Sequence, residues 1–261
     1  RIRSLLRLHA LMIRVANPLS TSPVLASPSS TSNTDTKDEA RCRHAWKNAD
    51  AVCFDVDSTV CQNEAIDELA EYLGVGEAVA LATRRAMNGV CRFRDALAGR
   101  LEIMRPSRTA MEQFATIPPK LTPGIVELVS ALHNRGTHVY LVSGGFRAII
   151  KPVADILSIP HSRIYANELI YDAKGEYAGF DENELTSDSG DKSVGKAGVC
   201  GLLKQRHGYG TVVMVGDGAT DMEAAPPADA FIGFGGNAVR PAVRDGAHWF
   251  VHSFDTLQKA L

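Results

Sequence analysis

Several residues able to do chemistry stand just past apolar runs. Asp55 and Asp57 follow AVCF (51–54), Ser143 follows HVYLV (138–142), and Asp217 and Asp221 follow TVVMV (211–215). Brought into one crevice, four carboxylates repel one another and need a cation or raised pKa values. A donor set made only of oxygen suits Mg²⁺, which keeps some of its waters and shares phosphate oxygens. No histidine or paired cysteine is placed for zinc, and Cys53 and Cys61, which flank the first two acids, read as small buried residues.

The elements that must position these residues are legible in the periodicity. AVCF, HVYLV, TVVMV, AFIGF (230–234) and WFV (249–251) read as buried strands. Between them Ile66, Leu69, Ala70 and Leu73 recur at helical spacing, as do Phe93, Leu97, Leu101 and Met104, and then Ile125, Leu128, Val129 and Leu132. Thr122 is expected to cap that last helix with Pro123 at its first position, and Gly136 to end it. A hairpin is expected over 164–180, turning at DAKG (172–175). Apolar strands alternating with helices give an α/β fold: a Rossmann-like parallel sheet with helices on both faces. In such a sheet ligands bind beyond the carboxyl ends of the strands, where the acids and Ser143 stand. The helical stretch 64–118 is long enough to be an inserted cap, leaving 46–63 and 119–261 as the catalytic core.

DVDST (55–59), SGG (143–145), a lysine preceded by glycine at 195–196 and GDGATD (216–221) together resemble the four motifs of the haloacid-dehalogenase-like phosphatases. The resemblance runs from about Ala51 to Leu261. It is closest to the branch acting on O-phospho-L-serine, through FDVDSTV, IDELA, TRRAM, LTPG, LVSGGFR, GEYAGFD, VGDGATDMEA and PPADAFIGFGGN. What it implies is Mg²⁺-dependent hydrolysis of O-phospho-L-serine to L-serine and phosphate through an aspartyl-phosphate, the last step of L-serine biosynthesis. Asp55 would be the nucleophile and Asp57 the general acid and base. Asp217, the Asp55 side chain and the Asp57 backbone carbonyl would hold the metal, with Asp221 acting through water or holding the lysine. Ser143, Gly144 and Gly145 would bind the phosphoryl oxygens. Glu64 would take the substrate ammonium and Arg100 its carboxylate, with Met87, Asn88 and Thr220 lining the pocket.

The chain departs from that pattern in three places. It reads SGDKSVGK (189–196) where the family has SGGK, so DKSV interrupts the motif. Lys192 keeps the spacing from Ser189, but Lys196 keeps the Gly-Lys pair and the spacing to GDGATD, and is the expected catalytic lysine because the downstream helix and strand fix its distance from the site. Pro152 falls inside the helix after SGGF and should kink or restart it. Asn88 stands where the family often has glycine.

Other classes fit less well. GFGGNA (233–238) satisfies a dinucleotide-binding G-x-G-x-x-A pattern, but too little chain follows for another nucleotide half-fold. A non-catalytic phosphate binder is opposed by the retained acids, and a phosphatase for another small phosphomonoester, such as phosphocholine, is opposed by Glu64 and Arg100. Lys+Arg 28 against Asp+Glu 30 argues against a nucleic-acid or membrane binder, and no apolar stretch approaches the ~20 residues of a membrane span. Five cysteines without a CxxC point to a reducing compartment. A homodimer is compatible with this reading. Residues 1–34 carry arginine, serine and proline and no acid, the composition of a plastid or mitochondrial transit peptide. A disordered tail or a gene-model artefact is the alternative, so the protein is expected in the cytoplasm or an organelle, with 1–45 outside the fold.

Overall fold

In the computed structural model, which describes residues 32–88 and 92–261 with side chains over 38–85 and 92–261, the apolar runs pair into one six-stranded sheet. The chain enters through α1 (Ser32–Lys47), forms β1 (Ala51–Phe54), and crosses a tight turn over Val56–Val60. Four helices follow: α2 (Ala65–Tyr72), α3 (Gly76–Asn88), α4 (Phe93–Met104) and α5 (Arg108–Phe114). Then come α6 (Ile125–Asn134), β2 (His138–Phe146), α7 (Arg147–Ile156) and β3 (Ile164–Asn167), and a small hairpin of β4 (Leu169–Tyr171) and β5 (Tyr177–Phe180). The chain closes with α8 (Gly195–His207), β6 (Val212–Gly216), α9 (Ala219–Met222), β7 (Ala230–Phe234), α10 (Pro241–Gly246), β8 (Trp249–Val251) and α11 (Phe254–Gln258).

The strand order is β3-β2-β1-β6-β7-β8, every pair parallel, with β1 central. Side chains alternate across the sheet. Val52 and Phe54 join Trp46, Leu128, Leu132, Val153 and Phe254 on one face, while Ala51 and Cys53 join Val199, Cys200, Leu203 and Val243 on the other. Both faces are therefore buried, the arrangement a parallel sheet requires. A third cluster gathers Leu69, Leu97, Leu101, Met111 and Phe114 from α2, α4 and α5 against Phe146 of β2 and Tyr177 of β5. The helices over 65–114 leave and rejoin the sheet through two adjacent segments, tied by Gln62 N to Lys120 O (2.9 Å), Thr122 N to Val60 O (2.9 Å) and a Cys61–Leu121 bridge.

Four expectations need correction. The fold begins before residue 46: α1 buries Cys42 and Trp46, because Cys42, Ala45, Trp46 and Ala49 share one helical stripe. Gly124, at φ +84°, caps α6 in place of Thr122, since the hydroxyl of Thr122 is turned to Thr59 O (2.6 Å). Only 169–180 is hairpin; β3 pairs with β2 in the main sheet, although DAKG does turn where expected, with Asp172 Oδ1 accepting from Lys174 N and Glu176 N. Pro152 lies inside an unbroken α7, which is held by the burial of Ile150, Val153 and Ala154. Residues 1–31, where most of the transit-peptide reading falls, lie outside the described residues. Among the described residues no helix is long and apolar enough to cross a membrane.

Candidate active site

The carboxyl ends of β1, β2 and β6 converge, as the strand-end rule requires. Asp55 directly follows β1, its amide bonded to Val215 O (2.9 Å), and its Oδ1 accepts from Val56 N (2.7 Å). The chain then doubles back through the 56–60 turn, in which Ser58 takes the left-handed φ of +52°. That reversal faces Asp57 toward β2: Oδ2 accepts from Ser143 Oγ (3.3 Å) and Oδ1 from Ala65 N (2.8 Å). Ser143 Oγ in turn accepts from Gly145 N (2.8 Å). A Cβ on Gly144 would lie 2.7 Å from the Phe93 ring of α4, which would have to shift, and one on Gly145 would lie 3.2 Å from Asp57 Oδ2, so both glycines of SGG sit in close quarters.

Asp217 follows β6, and Asp221 lies in the short α9 with Oδ2 accepting from Gly218 N (2.9 Å). Lys196, on the first turn of α8, reaches back with Nζ 2.7 Å from Asp55 Oδ1 and 2.5 Å from Asp221 Oδ1. It is 8% exposed, whereas Lys192 points to solvent, so the structure brings only Lys196 to the acids. The loop absorbs the DKSV residues locally, Asp191 Oδ1 accepting from Ser193 N and Oγ.

Oxygens of Asp55, Asp217 and Asp221 lie within 4.8 Å of one another, a group able to hold a metal ion. The Asp57 carboxylate is not in that group; it is turned to Ser143 Oγ and Ala65 N. Burial, together with Asp221, Asp217 and Asp57, pushes the Asp55 carboxyl well above its usual range despite Lys196. Burial and then Glu64 push Asp57 up to about 6. Burial disfavours the Lys196 ammonium, but Asp221 and Asp55 outweigh it and raise its pKa. Among the described residues Lys196 and Arg240 bond these acids directly, and Arg100 feels Glu64 and Asp57 at longer range; five carboxylates (Asp55, Asp57, Asp217, Asp221 and Glu64) still outnumber the three cations, and a divalent cation would offset that excess.

Of the residues expected to meet the substrate, Glu64 stands at the N-cap position of α2 without a side-chain capping bond and accepts from Ser58 Oγ (2.9 Å). Arg100 is half-buried on α4, bonded to Ala96 O (3.2 Å); burial lowers its pKa against the pull of Asp67, Glu64 and Asp57. Thr220 stands half-buried on the first turn of α9. The side chains of Met87 and Asn88 lie outside the described residues.

Three residues escaped the sequence reading. Arg240 donates from Nε to Asp217 Oδ2 (2.7 Å) and from Nη2 to Glu64 Oε1 (3.0 Å). Asn167, wholly buried, donates to Gly144 O (2.8 Å) and accepts from Thr186 (3.1 Å). Asn237 donates into the 58–61 turn. Asn167 ends β3 and Asn237 stands three residues past β7, near strand ends as the acids are, whereas Arg240 stands at the N-cap position of α10. Packing accounts for the glycines of GFGGNA: Cβ atoms on Gly233 and Gly235 would lie 2.7 and 2.4 Å from the Phe250 ring.

Residues 49–229 match the family model of the haloacid dehalogenase-like hydrolases. The chain is 53% identical over 220 residues to a phosphoserine phosphatase of Bos taurus, covering 84% of this chain and 96% of that one. It is 49% identical over 219 residues to a chloroplastic phosphoserine phosphatase of Arabidopsis thaliana, covering 83% and 73%. Among solved structures, a phospho-aspartyl intermediate analogue of phosphoserine phosphatase superposes with a TM-score of 0.65 at 27% identity, covering 81% and 98%.

Proposed function

This chain belongs to the haloacid dehalogenase-like hydrolases, and from that membership we propose that it hydrolyses O-phospho-L-serine to L-serine and phosphate through Asp55. The observation that carries the reading is Asp55 Oδ1 at 2.7 Å from Lys196 Nζ, at the end of a central strand, with Asp57 two residues on turned to Ser143.

In the first half-reaction an Asp55 oxygen attacks phosphorus, the bond from phosphorus to the seryl oxygen breaks, and Asp57 passes its proton to that oxygen. In the second, water attacks the phosphorus of the aspartyl-phosphate and yields a proton to Asp57; the bond to Asp55 breaks and phosphate leaves. The raised pKa of Asp57 suits a group that must carry that proton both ways. Lys196 offsets the charge of Asp55 and Asp221, and Ser143 with the amides of Gly144 and Gly145 binds phosphoryl oxygens. The acidic group fits Mg²⁺: Asp55, Asp217 and the Asp57 carbonyl would hold it, Asp221 acting through water, and the ion would supply charge neutralisation on the phosphoryl group.

Glu64 takes the substrate ammonium and Arg100 the carboxylate, Met87, Asn88 and Thr220 lining the pocket. Residues 64–118 act as a cap that closes to exclude water. Residues 1–34 are read as a transit peptide, a reading supported by the chloroplastic relative.

The test is phosphate release by the full chain from L-phosphoserine, phosphothreonine and phosphocholine, with Mg²⁺ and with EDTA. Mg²⁺-dependent release that prefers phosphoserine is expected. Equal or better release from phosphocholine overturns the substrate, and no release from folded protein overturns the activity.

A further inference from the structure

We propose that Asn237 is a positioning residue for this reaction: its side-chain amide, with the Thr122 hydroxyl, clamps the turn that carries Asp57 to both segments of the cap neck. The inference rests on the roles given above to Asp57 and Glu64. Asn237 lies three residues beyond β7, and its Nδ2 stands 2.6 Å from Thr122 Oγ1, 3.1 Å from Ser58 O, 3.3 Å from Cys61 O and 3.4 Å from Thr59 O. Four oxygens facing one atom call for a donor, and an amide nitrogen has two protons to share among them.

The direction of the relay is fixed. Thr122 Oγ1 gives its own proton to Thr59 O (2.6 Å), leaving its lone pairs to accept from Asn237. The oxygens so gathered belong to both sides of the neck: Ser58, Thr59 and Cys61 lead out to the helices, and Thr122 leads back to the core. The clamp sits where the backbone most needs it, because Ser58 holds a left-handed φ of +52° without being glycine. A small rotation at Ser58 would move Asp57 on one side of it, and it would move Glu64 through the bond from Ser58 Oγ. The glycines of the GFGGNA loop let that loop pass under Phe250 and bring Asn237 to the turn.

The test uses the full chain, four single variants and one double variant. Asn237→Ala removes the amide, and Asn237→Asp keeps its size but replaces both protons with a charge facing oxygens. Thr122→Val removes the hydroxyl at constant shape, and Thr122→Ser keeps it. Asn237→Ala and Thr122→Val are expected to lower kcat for phosphoserine about ten-fold or more, with Asn237→Asp lower still and a smaller rise in KM. Thr122→Ser should recover most of what Thr122→Val loses. The double variant Asn237→Ala/Thr122→Val should be no worse than the poorer single one, since both break one relay. Hydrogen exchange, read without turnover, should quicken about ten-fold at the amides of Ser58, Val60, Cys61 and Thr122 in Asn237→Ala, with β7 unchanged. Folded Asn237→Ala and Thr122→Val proteins with kcat within about two-fold of the parent overturn the proposal, as does a fall in Tm alone. Equal loss in Thr122→Ser and Thr122→Val also overturns it. If the parent fails to hydrolyse phosphoserine, the functional reading falls, and unchanged exchange in Asn237→Ala would then sink the clamp separately.

Discussion

Asp55 is held among more negative charge than its neighbours cancel. Lys196 sits between it and Asp221, but Asp217 and Asp57 lie close by, and the carboxyl is pushed well above its usual range. A carboxylate whose folded-state pKa is raised destabilises the fold once the pH exceeds that of the free group, because folding then favours a proton that solution removes. Asp55→Asn keeps the shape and removes both the charge and the proposed nucleophile. It should bind phosphoserine yet lose turnover by at least about 10³-fold, and in metal-free buffer its Tm should equal or exceed that of the parent. Titration calorimetry, phosphate release and a thermal melt check the three parts, and turnover above that level would remove the covalent route. The acids and Ser143 were legible because each follows an apolar strand, and Lys196 because its spacing to GDGATD is fixed by α8 and β6. Arg240, Asn237 and Asn167 were not. Arg240 meets Glu64 across 176 residues of sequence, and Asn237 meets Ser58 across 179, separations that no local pattern reports.

At the scale of elements, α1 shows how a real signal can be masked. Trp46 is fully buried, donates Nε1–H to Leu257 O (3.0 Å) just past the middle of α11, and accepts from Arg135 at its carbonyl (2.9 Å). The stripe of Cys42, Ala45, Trp46 and Ala49 has helical spacing, but it is set in TDTKDEARCRHAWKNAD, where charge and the adjoining Ser- and Pro-rich tract hide it. The start of α6 misled differently: Thr-Pro-Gly fits a cap at threonine, yet Thr122 is drawn off to Thr59, and Gly124 supplies the left-handed residue. If α1 belongs to the core, Trp46→Ala should lower unfolding free energy by about 3–5 kcal/mol, the usual cost of deleting a large buried ring. Urea unfolding reads this directly, and a loss under about 1 kcal/mol would mean that the helix is an appendage.

Across the whole molecule, the helices over 65–114, the proposed cap, touch the rest of the chain at more than the paired segments 60–62 and 120–122. Arg94, beside the Phe93 that rests on Gly144, reaches from α4 to the segment leading into the lysine loop. Its guanidinium donates to Ser187 Oγ (3.0 Å), Glu182 O (3.1 Å) and Glu182 Oε2 (3.3 Å), and lies 3.7 Å from Asp188 Oδ2. The side chain is 31% exposed, so screening limits each contact, but several acting together can bias closure by one or two kcal/mol, roughly a factor of 5–30. These contacts hold the cap down only if they break when it opens. In that case Arg94→Ala favours the open form and substrate must supply the lost bias: KM for phosphoserine should rise about five-fold or more, while kcat changes less. Arg94→Lys, which keeps the charge but loses the fork, should fall between the two. Hydrogen exchange over 93–104 should quicken in Arg94→Ala with β1 and α8 unaffected, since the latch touches neither strand nor helix of the catalytic layer. An unchanged KM with unchanged exchange would mean that Arg94 is bound equally in both forms, leaving closure to Phe93 on Gly144 and to the apolar cluster of Leu97, Leu101 and Phe146.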